Sequence, residues 1–195
     1  DWPRLARSIE RGTRWVGYSD MTALHLGLLA HAGVSGWAGP LAIADFGSET
    51  VDEVTCGCFV EAMDGTLEAI GFRTAAGHDG LQRRGTLWGG NLTMVCSLLG
   101  TPHLPRVRGG VLFLEDVNEH PYRVERHLLQ LLQAGVIGAQ KAVVLGQFTD
   151  WKPSPLDRGY SLRSALEALR SRTSTPILTG RSEERRVGKE CRSRW

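Results

Sequence analysis

No stretch of this 195-residue chain approaches the ~20 consecutive apolar residues of a membrane-spanning helix, so no membrane partner is expected. Cysteine is scarce. Cys191 lies in the last fifteen residues, and Cys56, Cys58 and Cys96 are too few for a disulfide framework and suit a reducing compartment. Cys56-Gly57-Cys58 lacks the second ligand pair of a zinc site. None of His25, His31, His78, His103, His120 and His127 has metal-ligand spacing to a second His or Cys. No metal and no cofactor are therefore expected. Internal repeats and low-complexity segments are also absent.

The apparent basicity, 23 Lys and Arg against 21 Asp and Glu, comes from the C-terminus. Residues 181–195 read RSEERRVGKECRSRW, with no apolar period, and carry six of the basic and three of the acidic residues. The string resembles a sequencing adapter translated as coding DNA, and is set aside from fold reasoning as a non-native tail. The remaining 17 basic and 18 acidic residues give no reason to expect a nucleic-acid partner. The opening Asp1-Trp2-Pro3, without initiator Met or signal peptide, reads as a cut end.

What is present alternates between strand-like and helix-like runs. Thr13–Gly17 reads as a short strand, followed by a helix from Asp20 to Ala32 with Gly33 as its stop. A second helix is expected over 48–62, with Ser48 as cap, and a strand over 67–74. The glycine-bearing polar stretch 77–84 marks the best internal boundary. Gly89-Gly90-Asn91 then opens a helical run to Leu99 and is a weak candidate for anion binding at a helix N-terminus. Val111–Leu114 and Ala142–Leu145 are apolar runs of the fully buried kind, with a Pro121-initiated helix between them. That succession is a βαβ crossover and predicts parallel pairing. A helix over 161–172 and a strand beginning Pro176-Ile177-Leu178 follow. The fold class expected is α/β: a partial Rossmann-like N-terminal layer over 1–76, a linker over 77–87, and a partial second α/β domain over 88–180.

Two stretches carry chemistry. Gly17-Tyr18-Ser19-Asp20 puts a serine on a strand-to-helix turn, where its hydroxyl stands clear of the sheet and the next amide can stabilise an oxyanion. It is not the Gly-x-Ser-x-Gly elbow. The competing reading is that Ser19 or Asp20 merely caps the helix. Leu114-Glu115-Asp116-Val117-Asn118-Glu119 puts a carboxylate pair where an apolar strand ends. An acid there can orient a histidine, and Glu119 can bind a substrate ammonium. The competing reading is that Asp116, Asn118 and Glu119 cap the Pro121 helix. None of the six histidines is an obvious base.

Taken together, Gly17–Leu24, Trp88–Leu92, Leu99–Pro102, Phe113–Val117, Pro121–Arg123 and Leu145–Thr149 occur in an order that resembles the LD-carboxypeptidases, the muramoyltetrapeptide carboxypeptidases of serine peptidase family S66. The resemblance runs from about Trp2 to Gly180. It implies metal-free cytoplasmic removal of the terminal D-alanine from murein tetrapeptides in peptidoglycan recycling, with a murein peptide as substrate and a homodimer as an option for the full-length protein. It makes Ser19 the nucleophile, the Asp20 amide part of the oxyanion hole and Glu115 the orienter of the histidine. Asn91 and Glu119 would lie near the substrate. The site would form between two domains, so Ser19 and Glu115 must converge.

Three departures qualify the resemblance. Ala38-Gly39-Pro40 stands where the family usually has His-Gly-Pro. The portion preceding the serine strand is absent. The family's histidine belongs to a Gly-His segment just after the Pro176-Ile177-Leu178 strand, where this chain turns into the adapter-like string. An inactive piece of an active peptidase is therefore expected. The alternatives are the immunity-type branch of the same family, acting on a peptide–nucleotide antibiotic, and a non-catalytic Rossmann-like binding module. The second would need a glycine-rich phosphate loop, and Gly17-Tyr18-Ser19 supplies one glycine.

Overall fold

The structure is a computed structural model that describes residues 1–69, 74 and 77–180. The expected tail, 181–195, lies outside them. Helix α1 (Trp2–Glu10) was not foreseen; Asp1 caps it by accepting from the Arg4 N–H at 3.1 Å. Its Trp2 ring lies flush on Gly27, where a methyl group would collide with the indole. Gly27 belongs to helix α2 (Met21–Ala32), which ends at a left-handed Gly33 as expected.

The strand expected at Thr13–Gly17 reduces to one parallel bridge, Val16 to Trp37. A π-helical turn, Ala42–Phe46, follows, with the Asp45 carboxylate accepting from the Leu41 N–H at 2.7 Å. Helix α3 (Glu53–Asp64) starts five residues later than the sequence suggested. The reason is its cap. Asp52 accepts from both the N–H and the hydroxyl of Thr55, whereas the Ser48 hydroxyl donates to the Asp45 and Thr50 carbonyls. Of the expected strand over 67–74, residues 70–73 are outside the described set. Residues 67–69 are not extended in a strand, and Thr74 makes a single antiparallel bridge to Gly180.

The centre of the fold is a parallel sheet of four strands in sequence order. These are β1 (Leu87–Asn91), β2 (Val111–Val117), β3 (Ala142–Thr149) and β4 (Ile177–Thr179). Helices α4 (Leu92–Ser97), α5 (Pro121–Gln133) and α6 (Leu162–Arg170) make the crossovers. The β2–α5–β3 unit and its parallel pairing are as the apolar runs predicted. Leu112, Leu114, Val143 and Leu145 of the two central strands meet Val124, Leu128 and Leu131 of α5 in one buried core. Each such side chain contributes about 2 kcal/mol when removed from water.

Strand β1 was missed because its glycines read as a turn. They serve approach instead. A Cβ on Gly89 would strike the Phe113 carbonyl of β2, and one on Gly90 would stand 2.5 Å from the Thr22 hydroxyl of α2. Both take positive φ, +118° and +131°, which glycine alone adopts readily. The close contact with Thr22 lets α2, the helix that follows Ser19, pack directly on the sheet's β1 edge. No helix among the described residues is long and apolar enough to cross a membrane.

Candidate active site

Ser19 is half-buried at the turn into α2 with φ +58°. A left-handed serine is a strained backbone state, which costs of order 1 kcal/mol or more and persists where surrounding structure enforces it. Neither Ser19 nor Asp20 caps α2 through its side chain: Asp20 has helical backbone angles and makes no side-chain cap hydrogen bond. The plain capping reading of this turn therefore fails. The Thr22 hydroxyl does not support the turn either. It accepts the buried Asn91 N–H at 3.0 Å.

That bond joins the serine turn to the carboxyl end of β1, and register continues the connection, since Asn91 pairs with Glu115 of β2. Beyond Leu114 the β2–β3 register slips, so that Asp116 faces Phe148 and Glu115 sits at a bulge opposite Gly146 and Gln147. Bulges re-aim side chains and recur beside active sites. Glu115 is half-buried. Burial first, and then the Asp116 charge, hold its carboxyl above the ordinary range, while the Asn91 amide draws it partly back.

The two neighbouring acids have opposite fates. Asp116 is buried and saturated. It accepts from Asn91 Nδ2 at 2.9 Å, Thr93 N at 3.0 Å, Thr93 Oγ1 at 2.8 Å and Val117 N at 2.9 Å. It fastens the start of α4 to the end of β2. Asn91 is buried too: its Oδ1 caps α4 by accepting from the Met94 N–H at 3.0 Å. The expected glycine-asparagine anion site is thus a strand end and a cap, packed by α2 and β2. The Pro121 helix is capped by none of Asp116, Asn118 and Glu119. His120 takes that place, its Nδ1 accepting from the Tyr122 N–H at 3.5 Å.

Tyr18, next to Ser19, was given no role by the sequence. Its phenol is raised by burial, by the charge and hydrogen bond of Asp45, and by the charge of Glu115. Charges on the π-helical turn and at the end of β2 thus both reach the Tyr18 phenol beside the serine. Asp45, 27 positions along the chain from Tyr18, leaves no sequence signal for this. Glu119 lies beyond β2 with Oε2 enclosed and without a hydrogen-bond partner; the nearest cation, Arg123 Nη1, is 3.8 Å away.

The histidines are engaged away from the serine. His25 Nε2 meets the Trp15 carbonyl at 3.1 Å, and His31 meets His103 at 2.8 Å. His120 Nε2 pairs with Asp157 Oδ2 at 3.1 Å, closing the loop after β3 over Trp151 and Tyr122. His127 is lowered by burial and nearby Arg126, and its Nδ1 is enclosed without a partner. Among the described residues no histidine hydrogen-bonds Ser19 or Glu115, and no group of three or more His, Cys, Asp or Glu could hold a metal ion.

A family model described as LD-carboxypeptidase C-terminal domain matches residues 84–182, the sheet-bearing half of the chain. The chain belongs to the LD-carboxypeptidase family. Within that family it is 30% identical over 168 residues to a probable murein peptide carboxypeptidase of Bacillus subtilis, covering 84% of this chain and 52% of that protein. It is 31% identical over 160 residues to the murein tetrapeptide carboxypeptidase of Pseudomonas aeruginosa, covering 77% and 50%. The crystal structure of muramoyltetrapeptide carboxypeptidase from Oxalobacter formigenes superposes with a TM-score of 0.80 at 41% identity, covering 92% of this chain and 61% of that one. The microcin C7 self immunity protein MccF shares the fold, with a TM-score of 0.73 at 22% identity over 93% of this chain and 61% of that one. The chain spans about half the length of the curated relatives it matches.

Proposed function

We propose that this chain carries the serine and the glutamate of a serine-type murein tetrapeptide carboxypeptidase, an LD-carboxypeptidase that removes the terminal D-alanine during cytoplasmic peptidoglycan recycling. The observation that carries the reading is the strained Ser19 turn held to the strand ends by the Thr22–Asn91 bond, within electrostatic reach of Glu115 through Tyr18. Sequence likeness to murein carboxypeptidases adds the substrate class.

In this mechanism Ser19 Oγ attacks the carbonyl carbon between an L-residue and D-alanine. The Asp20 amide, at the positive end of α2, stabilises the oxyanion. An imidazole takes the serine proton and returns it to the leaving D-alanine amine, and Glu115 acts through that imidazole as its orienter. Asn91, paired with Glu115 in the sheet, hydrogen-bonds its carboxylate and helps to position it. Glu119, ion-paired with Arg123, is the candidate partner for a substrate ammonium. The 195-residue chain has no histidine after His127. Without that imidazole it turns substrate over far more slowly than its relatives, because loss of a triad member costs several orders of magnitude.

A graft tests the reading. The residues after Thr179 are replaced by the corresponding segment of the Oxalobacter formigenes relative, and D-alanine release from murein tetrapeptide is assayed beside a peptide–nucleotide substrate. Release from the tetrapeptide that Ser19→Ala abolishes supports the proposal. A folded graft that releases no D-alanine, or releases it equally well with Ser19→Ala, refutes it. Preference for the peptide–nucleotide would move the assignment to the immunity-type branch.

A further inference from the structure

The fold creates one pair of ligating side chains that no spacing in the sequence announces. His31, exposed in the last turn of α2, and His103, half-buried in the loop after α4, face each other with Nε2 and Nδ1 2.8 Å apart. Trp2 of α1 stacks on His31 with centroids 4.9 Å apart and planes at 11°, and leans on His103 at 5.8 Å. Neither ring bonds a carboxylate or a backbone carbonyl among the described residues. Three rings from three separate elements thus converge at the surface, and among the described residues the two imidazoles are held by each other and by the indole.

We propose that His31 and His103 form a two-imidazole site for Cu²⁺ or Ni²⁺ at the seam between α2 and the α4–β2 loop. With the ring protons on His31 Nδ1 and His103 Nε2, both facing nitrogens are bare and present two neutral lone pairs, as metal ligation requires. Neutral rings need lose no proton; the ring that donates in the hydrogen bond changes tautomer. Two imidazole ligands without a thiolate suit Cu²⁺ and Ni²⁺, and Cu²⁺ stands above Zn²⁺ in affinity for such a site. Rotation of the rings about χ2 turns both lone pairs to a common point, and water completes the coordination on the exposed side. Two protein ligands make an open site, in keeping with the absence of any larger ligand cluster among the described residues. A bound ion clamps the far end of the helix that begins after Ser19 onto the sheet-bearing half. It touches neither Ser19 nor Glu115, so the inference stands apart from the proposed function.

The full chain is titrated with CuCl₂ or NiCl₂ under reducing-agent-free conditions, following tryptophan emission, calorimetric stoichiometry and melting temperature. One equivalent should bind, quench the share of emission that Trp2→Phe removes, and raise the melting temperature by mass action. His31→Gln and His103→Gln should each weaken binding by about tenfold or more, and Zn²⁺ should bind more weakly than Cu²⁺. The Cu²⁺ complex of the unmutated chain should show two equatorial nitrogens by electron paramagnetic resonance, a readout that needs no variant to fold. Binding that survives both histidine substitutions, sulfur ligation by Cys56, Cys58 or Cys191, or a spectrum without coupled nitrogen overturns the proposal.

Discussion

The Thr22 hydroxyl accepts the Asn91 N–H at 3.0 Å across 69 positions of sequence, coupling the helix behind Ser19 to the strand that ends beside Glu115. Both groups are buried. Thr22→Val keeps the shape and removes the acceptor, leaving a buried N–H unpaired. Urea denaturation should show a loss of about 1–3 kcal/mol, with Thr22→Ser close to the parent. A loss below about 0.5 kcal/mol, the range of a neutral surface change, would mean that the bond does not hold the two parts together.

Asp116 predicts a purely structural phenotype. Its carboxylate accepts four hydrogen bonds from Asn91, Thr93 and Val117, so Asp116→Ala strands several buried donors at once. The expected cost is about 2–4 kcal/mol. Asp116→Asn, which keeps one accepting oxygen, should fall between the two. Equal stability of the alanine and asparagine variants would contradict this account.

Glu115 should behave in the opposite sense. Its folded carboxyl titrates above the ordinary value of 4.5, chiefly through burial. The folded state therefore holds the proton more tightly than the unfolded chain, and ionisation opposes folding as pH rises through and above the carboxylate range. Glu115→Gln removes that opposition. The variant should gain melting temperature relative to the parent between about pH 4 and pH 7, although it loses the group that orients the base. Parallel melting curves over this range would show that the Glu115 charge carries no such cost.

His25 sets an acid limit. Its ring is packed under Gly36, bonded to the Trp15 carbonyl, and lowered from 6.5 mainly by burial. A depressed histidine contributes stability that is complete above pH about 6.5 and is lost as pH falls through the lower folded value. The His25 imidazole proton resonance should titrate with a midpoint below 6.5. A midpoint at or above that value would contradict the packing described.

Much of the sheet was legible because Val111–Leu114 and Ala142–Leu145 read as unbroken apolar runs, although Val111 and Phe113 on one face of β2 are half-buried rather than fully buried as expected. Strand β1 was not, because its two glycines answer to contacts with Thr22 and Phe113 that arise only after folding. Ser19 stood out from its turn chemistry, and Glu115 from its place after an apolar run. The division of labour between Glu115 and Asp116 was less visible, since it depends on a register slip between β2 and β3. Tyr18 with Asp45, and His31 with His103, are tertiary pairs whose partners carry no mark in the local sequence.

The proposed function requires that Ser19 and Glu115 face each other across the space of a single imidazole. The direct measurement is intramolecular cross-linking of Ser19→Cys/Glu115→Cys, with the chain's other four cysteines replaced by alanine. A bifunctional thiol reagent is used that spans about 7 Å, the length of an imidazole with a hydrogen bond at each end. The account predicts one doubly attached reagent per chain in the mass spectrum and no bridge with a Ser19→Cys/Val60→Cys control. Two singly attached reagents on the Ser19→Cys/Glu115→Cys chain, with no bridged species, would contradict it.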